Sequence, residues 1–269
     1  MRRSRIAAYV TSLLLAAGLG LGGAAAAQAS TNAVTGGYVA LGDSYSSGVG
    51  SGSYISSSGS CDRSTLAYPY LWNAAHHPSS FAFNACSGAT TDDVLAGQLG
   101  SLSSSTGLVS ISIGGNDAGF ADVMTTCVLQ SDSSCLNRIN TARAYVGSTL
   151  PGKLDNLYDT IRAKAPSARV VVLGYPRFYL LGQSCLGLSE TKRSAINNAS
   201  DYMDGVIQTR AQAHGFTFGD VRTTFSGHQI CSGSSWLHSV DWLNIGQSYH
   251  PTSAGQSGGY LPVLTNAAS

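Results

Sequence analysis

The chain has 269 residues, of which only 11% are charged, and its 15 Lys and Arg nearly balance its 14 Asp and Glu. This balance gives no long-range attraction to nucleic acid or to anionic membranes, so we expect no nucleic-acid partner. The length is sufficient for a single α/β domain with a full hydrophobic core, and no repeat or interdomain linker divides it.

Residues 1–29 predict a secretory signal peptide. A basic start precedes an apolar run over residues 6–21, and the small residues end in Ala27-Gln28-Ala29. We expect cleavage after Ala29 or a few residues later, which leaves residues 30–269 as one exported domain. The alternative is a membrane anchor, but glycines interrupt the apolar run, and no later run approaches the roughly 20 residues of a spanning helix.

All six cysteines follow this leader. An even number of cysteines in an exported chain predicts disulfides, and six allow 15 connectivities. We favour sequential pairing because it closes the shortest loops. The pairs are then Cys61–Cys86, Cys127–Cys135 and Cys185–Cys231. A zinc site is the alternative, although the chain has no Cys-x-x-Cys pair.

Strands and helices alternate along the rest of the chain. The expected strands are 38–41, 81–85, 108–113, 169–173 and 216–218. The expected helices are 68–75, 91–99, one from about 117 to beyond 124, 136–165 broken at Pro151-Gly152, 189–214 and 252–264. This alternation predicts a parallel sheet with helices on both faces, and right-handed crossovers bring the carboxyl ends of the strands to one edge.

Polar residues follow three of these strands. Ser44 comes after the first strand, Gly88 after the second and Asn116 after the third. A lone Gly-Asp-Ser is typical of a surface turn, but three such positions at one sheet edge predict a site. A serine there needs a base to become a nucleophile, and backbone N–H groups with the Asn116 amide could bind an oxyanion.

The favoured base is His250, one of six histidines. Pro251 is expected at the first position of the last helix, which would hold His250 in the preceding loop. His238 is the second candidate.

Four ordered blocks of the sequence resemble those of the SGNH, or GDSL, hydrolases. They are Gly42-Asp43-Ser44, Gly88, Gly114-Gly115-Asn116-Asp117 and His250-Pro251. The resemblance extends from Tyr38 to about Pro262. Within it, Gly174-Tyr175-Pro176 looks like the motif of the secreted bacterial lipase, esterase and phospholipase A1 branch. Members of that branch are also disulfide-bonded. The resemblance implies a flavodoxin-like three-layer α/β/α sandwich around a parallel sheet of about five strands.

The resemblance also implies roles for the matching residues. Ser44 would be the nucleophile, and the N–H groups of Ser44 and Gly88 with the Asn116 amide would form the oxyanion hole. His250 would act first as base and then as acid, with no metal or cofactor. We expect Asp43 to be a structural turn residue and Asp117 to cap a helix.

One position departs from the family pattern. The last block usually carries an acid three residues before the histidine, but residue 247 is Gln. We therefore predict a catalytic dyad in which a backbone carbonyl, from Ser248 or alternatively Gln247, orients His250. The minority interpretation is that Asp241 folds back to this position.

The expected function is a secreted, monomeric hydrolase of lipid or phospholipid esters that contacts lipid interfaces transiently. The alternatives are a polysaccharide deacetylase with a shallow polar cleft and a non-catalytic extracellular binding module. The apolar run 178–181 either lines an acyl groove or packs under the Cys185–Cys231 bridge. Tyr45, Phe120 and Trp236 are further candidates for the pocket.

Overall fold

The computed structural model describes residues 35–269, so the predicted signal peptide lies outside the described residues. Five strands form one parallel sheet in the order β2-β1-β3-β4-β5. They are β1 (Gly37–Gly42), β2 (Phe81–Phe83), β3 (Thr106–Ser112), β4 (Arg169–Leu173) and β5 (Thr217–Gly219). After Arg169, β4 is a run of branched apolar residues, as expected for a strand buried on both faces.

Eight α-helices accompany the sheet in the described part of the chain. They are α1 (Ser44–Ser47), α2 (Tyr68–His76), α3 (Thr91–Gly97), α4 (Phe120–Leu129), α5 (Asp132–Ser148), α6 (Leu150–Lys164), α7 (Glu190–Ala213) and α8 (Leu261–Ala268). Short 3₁₀ segments cover Ser56–Cys61, Leu99–Ser101 and Ile245–Gln247, and a π-helical turn covers Gly255–Tyr260.

The helices form a layer on each side of the sheet. Helices α2 and α8 contact each other, while α3, α6 and α7 form a second group to which α4 and α5 are joined. This strand order is the flavodoxin-like one, and the prediction of a three-layer α/β/α sandwich is confirmed.

Several element boundaries differ from the sequence prediction. The turn after β1 is a one-turn helix, α1, whose N-cap is Asp43. Helix α3 begins at residue 91 as expected, behind a reciprocal capping box formed by Thr90 and Asp93, but it ends at Gly97 rather than at residue 99. The predicted break in the long helical region falls at Thr149, and Pro151 lies in the first turn of α6, where its missing N–H costs nothing.

The structure joins the six cysteines as Cys61–Cys86, Cys127–Cys135 and Cys185–Cys231. The first bridge ties the long loop after α1 to the segment that follows β2. Among residues 35–269, no helix combines the length and the apolar character needed to span a bilayer.

Candidate active site

The sheet brings the predicted residues to its topological switch point. The chain passes from β1 to β2 on one side and then returns to form β3 on the other side of β1. Ser44 follows β1 and Asn116 follows β3, so both lie where the two connections diverge and leave a crevice. The loop that carries His250 closes over this edge.

Ser44 and His250 form a direct hydrogen bond. Ser44 Oγ lies 2.8 Å from His250 Nε2, and His250 Nδ1 lies 3.1 Å from the carbonyl oxygen of Ser248. Because a carbonyl can only accept, Nδ1 carries the proton and Nε2 accepts from the serine hydroxyl. Burial lowers the pKa of His250 to about 4, since loss of water disfavours the imidazolium, although the Ser248 carbonyl opposes this shift.

Asp241 does not reach this histidine. Its Oδ1 accepts from the backbone N–H groups of Leu243 (3.0 Å) and Asn244 (3.1 Å), which closes a local turn. The Gln247 carbonyl accepts from the backbone N–H of His250, not from its ring. His238, the second candidate base, points its Nε2 at the carbonyl of Gly50 at 2.8 Å.

A short antiparallel pairing, rather than a helix start, holds His250. The backbone N–H of His238 donates to the His250 carbonyl at 3.0 Å, and Leu237 forms a bridge with Pro251. The expectation that Pro251 begins the last helix is therefore wrong. Tyr249 adopts φ +69°, an uncommon left-handed conformation for a non-glycine residue, and its carbonyl accepts from Tyr45 at 2.7 Å.

Two residues of the expected oxyanion hole lie in the groove that contains Ser44 and His250. Gly88 and Asn116 line the same open groove as Ser44 and His250. Gly88 has φ +79°, a backbone conformation that favours glycine. Asn116 Nδ2 donates one hydrogen to the Ala89 carbonyl at 3.0 Å, which fixes the amide and leaves its second hydrogen free to donate.

The buried carboxyl of Asp43 organises the turn beneath Ser44. Its Oδ1 accepts from the backbone N–H of Tyr45 at 3.0 Å and from Ser112 Oγ at 2.7 Å, and its Oδ2 accepts from the Tyr175 hydroxyl. Burial raises the pKa of Asp43 to about 6, and these donors limit the rise. This geometry is that of the expected structural turn residue.

Asp117 also caps a helix, but not the one that follows it. Helix α4 begins only at Phe120, behind the N-cap Gly119. The carboxylate of Asp117 instead accepts from the backbone N–H (3.0 Å) and hydroxyl (2.7 Å) of Thr91 in the first turn of α3. It therefore joins the segment after β3 to the segment that carries Gly88.

Two residues that sequence reasoning missed support the site. Gln98 is buried, and its side chain accepts from the Gly42 N–H at 2.8 Å and donates to the Gly42 carbonyl at 2.9 Å. Tyr175 accepts from the Gly115 N–H at 3.2 Å while it donates to Asp43. In the sequence, the motif Gly174-Tyr175-Pro176 was the feature that could have indicated a role for Tyr175. Gln98 is an isolated glutamine in a helical region, and no sequence feature indicated its role.

Two cavities meet at Ser44. The inner cavity, of about 70 Å³, has mostly apolar walls contributed by α4, α5 and α7. The outer groove, of about 470 Å³, is open and includes Gly88, Asn116 and His250.

Some of the aromatic candidates for the pocket line the inner cavity, whereas others pack elsewhere in the protein. Phe178, Tyr45 and Phe120 line the inner cavity. Tyr179 is buried and bonds to Tyr249, and Trp236 stacks on His228 away from both cavities. The run 178–181 therefore contributes one lining residue, and its last member, Leu181, is exposed.

Comparisons with known proteins agree with this geometry. The GDSL-like Lipase/Acylhydrolase family matches residues 40–257. "Lipase 1" of Streptomyces coelicolor is 74% identical over 268 residues, covering the full length of both chains. The crystal structure of phospholipase A1 from Streptomyces albidoflavus NA297 has a TM-score of 0.86 and 65% identity, over 87% of this chain and 99% of that one.

A second solved structure, the extracellular lipase from Streptomyces rimosus, has a TM-score of 0.85 and 64% identity, over 87% of this chain and 100% of its own. The family match and the curated relative each span most of the chain, and the two structures share its fold. The chain thus belongs to the GDSL, or SGNH, family of lipases and acylhydrolases.

Proposed function

We propose that this protein is a secreted hydrolase of lipid carboxylic esters, with Ser44 as nucleophile and His250 as its base. The observation that carries the proposal is the 2.8 Å contact between Ser44 Oγ and His250 Nε2, in a ring whose other nitrogen faces the Ser248 carbonyl. Similarity to lipases and to a phospholipase A1 supports the reaction class, which is carboxylic ester hydrolysis.

The geometry supports a two-step acyl transfer. Ser44 Oγ attacks the ester carbonyl carbon while His250 Nε2 takes its proton, and the N–H groups of Ser44 and Gly88 with the Asn116 amide bind the oxyanion. His250 then gives the proton to the alcohol oxygen as the carbon–oxygen bond breaks and leaves an acyl-enzyme. Water repeats the sequence and releases the fatty acid.

The apolar inner cavity favours a lipid ester over an acetylated polysaccharide. A deacetylase that acts on a polysaccharide needs a polar surface beside the nucleophile to bind the sugar. Here the space beside Ser44 extends between helices and is walled mainly by aliphatic and aromatic side chains. The hydrogen-bonded pair of Ser44 and His250 argues against a non-catalytic binding module.

The rim of the outer groove suits a lipid surface. Leu129, Trp242 and Ile245 line the groove and are more than 60% exposed, and the adjacent Leu243 is fully exposed. No Asp, Glu, Lys or Arg occurs between residues 242 and 250. An uncharged apolar rim beside the nucleophile is suited to transient contact with neutral or zwitterionic lipid.

Substrate hydrolysis and serine labelling test the catalytic proposal. Triacylglycerol, glycerophospholipid and acetyl-xylan are compared, with Ser44→Ala as the matched control and an organophosphonate as the label. We expect lipid ester hydrolysis and Ser44 labelling, both abolished in the variant. Release of acyl chains from the first glycerol position would identify a phospholipase A1, whereas activity confined to acetyl-xylan would contradict the proposal.

The rim is tested separately with phosphatidylcholine vesicles. Trp242→Ala with Leu243→Ser should weaken vesicle binding several-fold yet leave hydrolysis of a soluble short-chain ester unchanged. Leu186→Ser is the control, because Leu186 is as exposed as Leu243 and lines neither cavity. Equal weakening by both variants would contradict the assignment of the rim.

Export and oligomeric state complete the proposal. The basic and apolar leader, the disulfides and the similarity to an extracellular lipase support secretion. We propose that the secreted protein is a monomer without a membrane anchor. N-terminal sequencing of protein from culture medium, followed by sedimentation, tests both points: a start near residue 30 and a mass of one chain are expected.

A further inference from the structure

The inner cavity lies between two helices that place matching residues along its length. Residues three or four apart on a helix share a face, so positions repeated at this spacing form a continuous wall. The facing residues are Ile139, Ala142 and Val146 of α5, and Ile196, Ala199 and Met203 of α7. The small side chains of Ala142 and Ala199 keep the middle of this wall open.

The lining of the cavity is not uniform. Ser44, Tyr45 and Tyr175 contribute the part that belongs to the nucleophile. Arg143, next to Ala142, is the single cation among the described residues that line the cavity. A cation beside apolar walls needs partners that hold its guanidinium at the solvent side.

Residues on α7 provide those partners. The guanidinium carbon of Arg143 lies 4.4 Å from the centroid of the Tyr202 ring, and its Nη1 donates to the Asn198 carbonyl at 3.0 Å. Asn198 and Tyr202 are exposed, so this pair lies where α5 and α7 reach solvent. The side chain of Arg143 therefore bridges α5 and α7 where the lining of the cavity meets their solvent-exposed surface.

We propose that Arg143, held by Tyr202, is the end stop that sets the longest acyl chain this enzyme accepts. The inference rests on the proposed function and adds to it where the acyl chain lies: in the inner cavity, with the alcohol part of the ester in the outer groove. A chain that fits gains burial of each methylene, whereas a longer one must displace a guanidinium from its ring and carbonyl.

The test is the ratio of kcat/KM for a long-chain to a short-chain 4-nitrophenyl ester, hexadecanoate over butanoate, in one detergent solution. Ala142→Leu fills the middle of the cavity, and each excluded methylene should cost roughly fourfold, so we expect the ratio to fall about tenfold or more. Arg143→Ala opens the end and should raise the ratio several-fold. Tyr202→Ala should act in the same direction by freeing Arg143.

Arg162→Ala is the matched control. Its guanidinium carbon also lies over an aromatic ring, 4.8 Å from the centroid of Phe216, but Arg162 lines neither cavity. Loss of one arginine–aromatic contact is thus common to both variants, and only loss of the end stop distinguishes them. Ala199→Leu replaces Ala142→Leu if the latter fails to fold.

The outcomes separate this inference from the proposed function. An unchanged ratio in variants that hydrolyse butanoate normally would overturn the end stop. A ratio that responds to Val128→Phe in the outer groove but not to Ala142→Leu would place the acyl chain in that groove and also overturn it. Failure of the wild-type protein to hydrolyse any of the esters would instead contradict the proposed function.

Discussion

The Nδ1 proton of His250 faces a neutral carbonyl oxygen where many serine hydrolases place a carboxylate. A carbonyl fixes the tautomer as well as a carboxylate does, but it stabilises the imidazolium less. The pKa of His250, lowered to about 4 by burial, is consistent with this difference. The proposed mechanism therefore depends strongly on the oxyanion donors for stabilisation of the transition state.

We predict that Asp241→Asn leaves kcat/KM within about threefold of the wild type, because Asp241 closes a turn that an asparagine oxygen can also close. Ser44→Ala and His250→Ala should each lower kcat by at least about three orders of magnitude. Kinetics with a soluble ester and circular dichroism of the three variants check this. Loss of turnover in a folded Asp241→Asn protein would show that the dyad is wrong.

We also predict an unusually acidic limb in the pH profile. The base must be neutral, and burial lowers the pKa of His250 to about 4, so kcat/KM should fall only as the pH drops toward 4 rather than near 6.5. Asp43, whose pKa burial raises to about 6, is the nearest group that could add a second limb. The pH profiles of the wild type and of Asp43→Asn distinguish the contribution of His250 from that of Asp43. An acid limb near pH 6.5 in both proteins would contradict the assignment of the low pKa to His250.

The sequence was informative about residues that lie directly after strands. Ser44 and Asn116 could be placed because parallel topology alone brings the ends of β1 and β3 together. Gln98 could not, because its two bonds to Gly42 depend on how α3 and the turn after it pack against β1. A single polar residue with a long-range partner has no periodicity that would reveal it.

At the scale of elements, the junction of β1 and α1 is the most constrained part of the fold. Gly42 has φ +122°, and a Cβ there would lie 2.4 Å from the carbonyl oxygen of Ser112. The N–H of Gly42 donates a hydrogen bond to the Gln98 side chain. Its carbonyl accepts hydrogen bonds from the Gln98 side chain and from the Cys86 N–H. The position of Ser44 is thus set by β3, α3 and the Cys61–Cys86 bridge together.

We predict that Gln98→Ala lowers the free energy of unfolding by about 1–3 kcal/mol, because it leaves the buried Gly42 N–H without a partner. It should also lower kcat for a soluble ester, since the turn that positions Ser44 is loosened. Urea unfolding and steady-state kinetics measure the two effects. Gln212→Ala, an exposed helical glutamine, is the control and should change stability by less than about 0.5 kcal/mol.

Element boundaries near the site were harder to predict than the elements themselves. The helix expected over residues 252–264 is present over residues 253–268, but its segment Gly255–Tyr260 is π-helical. Pro251 lies outside it, because His250 is held by strand-like pairing with residues 236–238. These features depend on contacts between distant segments. Local propensity, including that of Pro251, favours a helix start that the tertiary pairing overrides.

At the scale of the whole molecule, the topology could be predicted but the shape of the site could not. Alternation of strands and helices predicted the parallel sheet, and the four sequence blocks implied the five-stranded, three-layer sandwich that the structure has. The inner cavity, by contrast, arises from the packing of α5 against α7, whose facing residues are separated by more than 50 positions. No local pattern distinguishes Ala142 or Arg143 from other residues on an amphipathic helix.

The three disulfides link segments throughout residues 61–231. In the chain-entropy model a bridge stabilises more when it closes a longer loop, and the sequence separations here are 8, 25 and 46 residues. Replacing both cysteines of a pair by serine should therefore cost about 2.5 kcal/mol for Cys127–Cys135 and about 4 kcal/mol for Cys185–Cys231. Denaturant unfolding of the two double variants measures the order, with thiol titration of the native wild type as a control that should find no free thiol. Six titratable thiols, or the reverse order of stabilities, would contradict the assigned pairs or the entropic explanation.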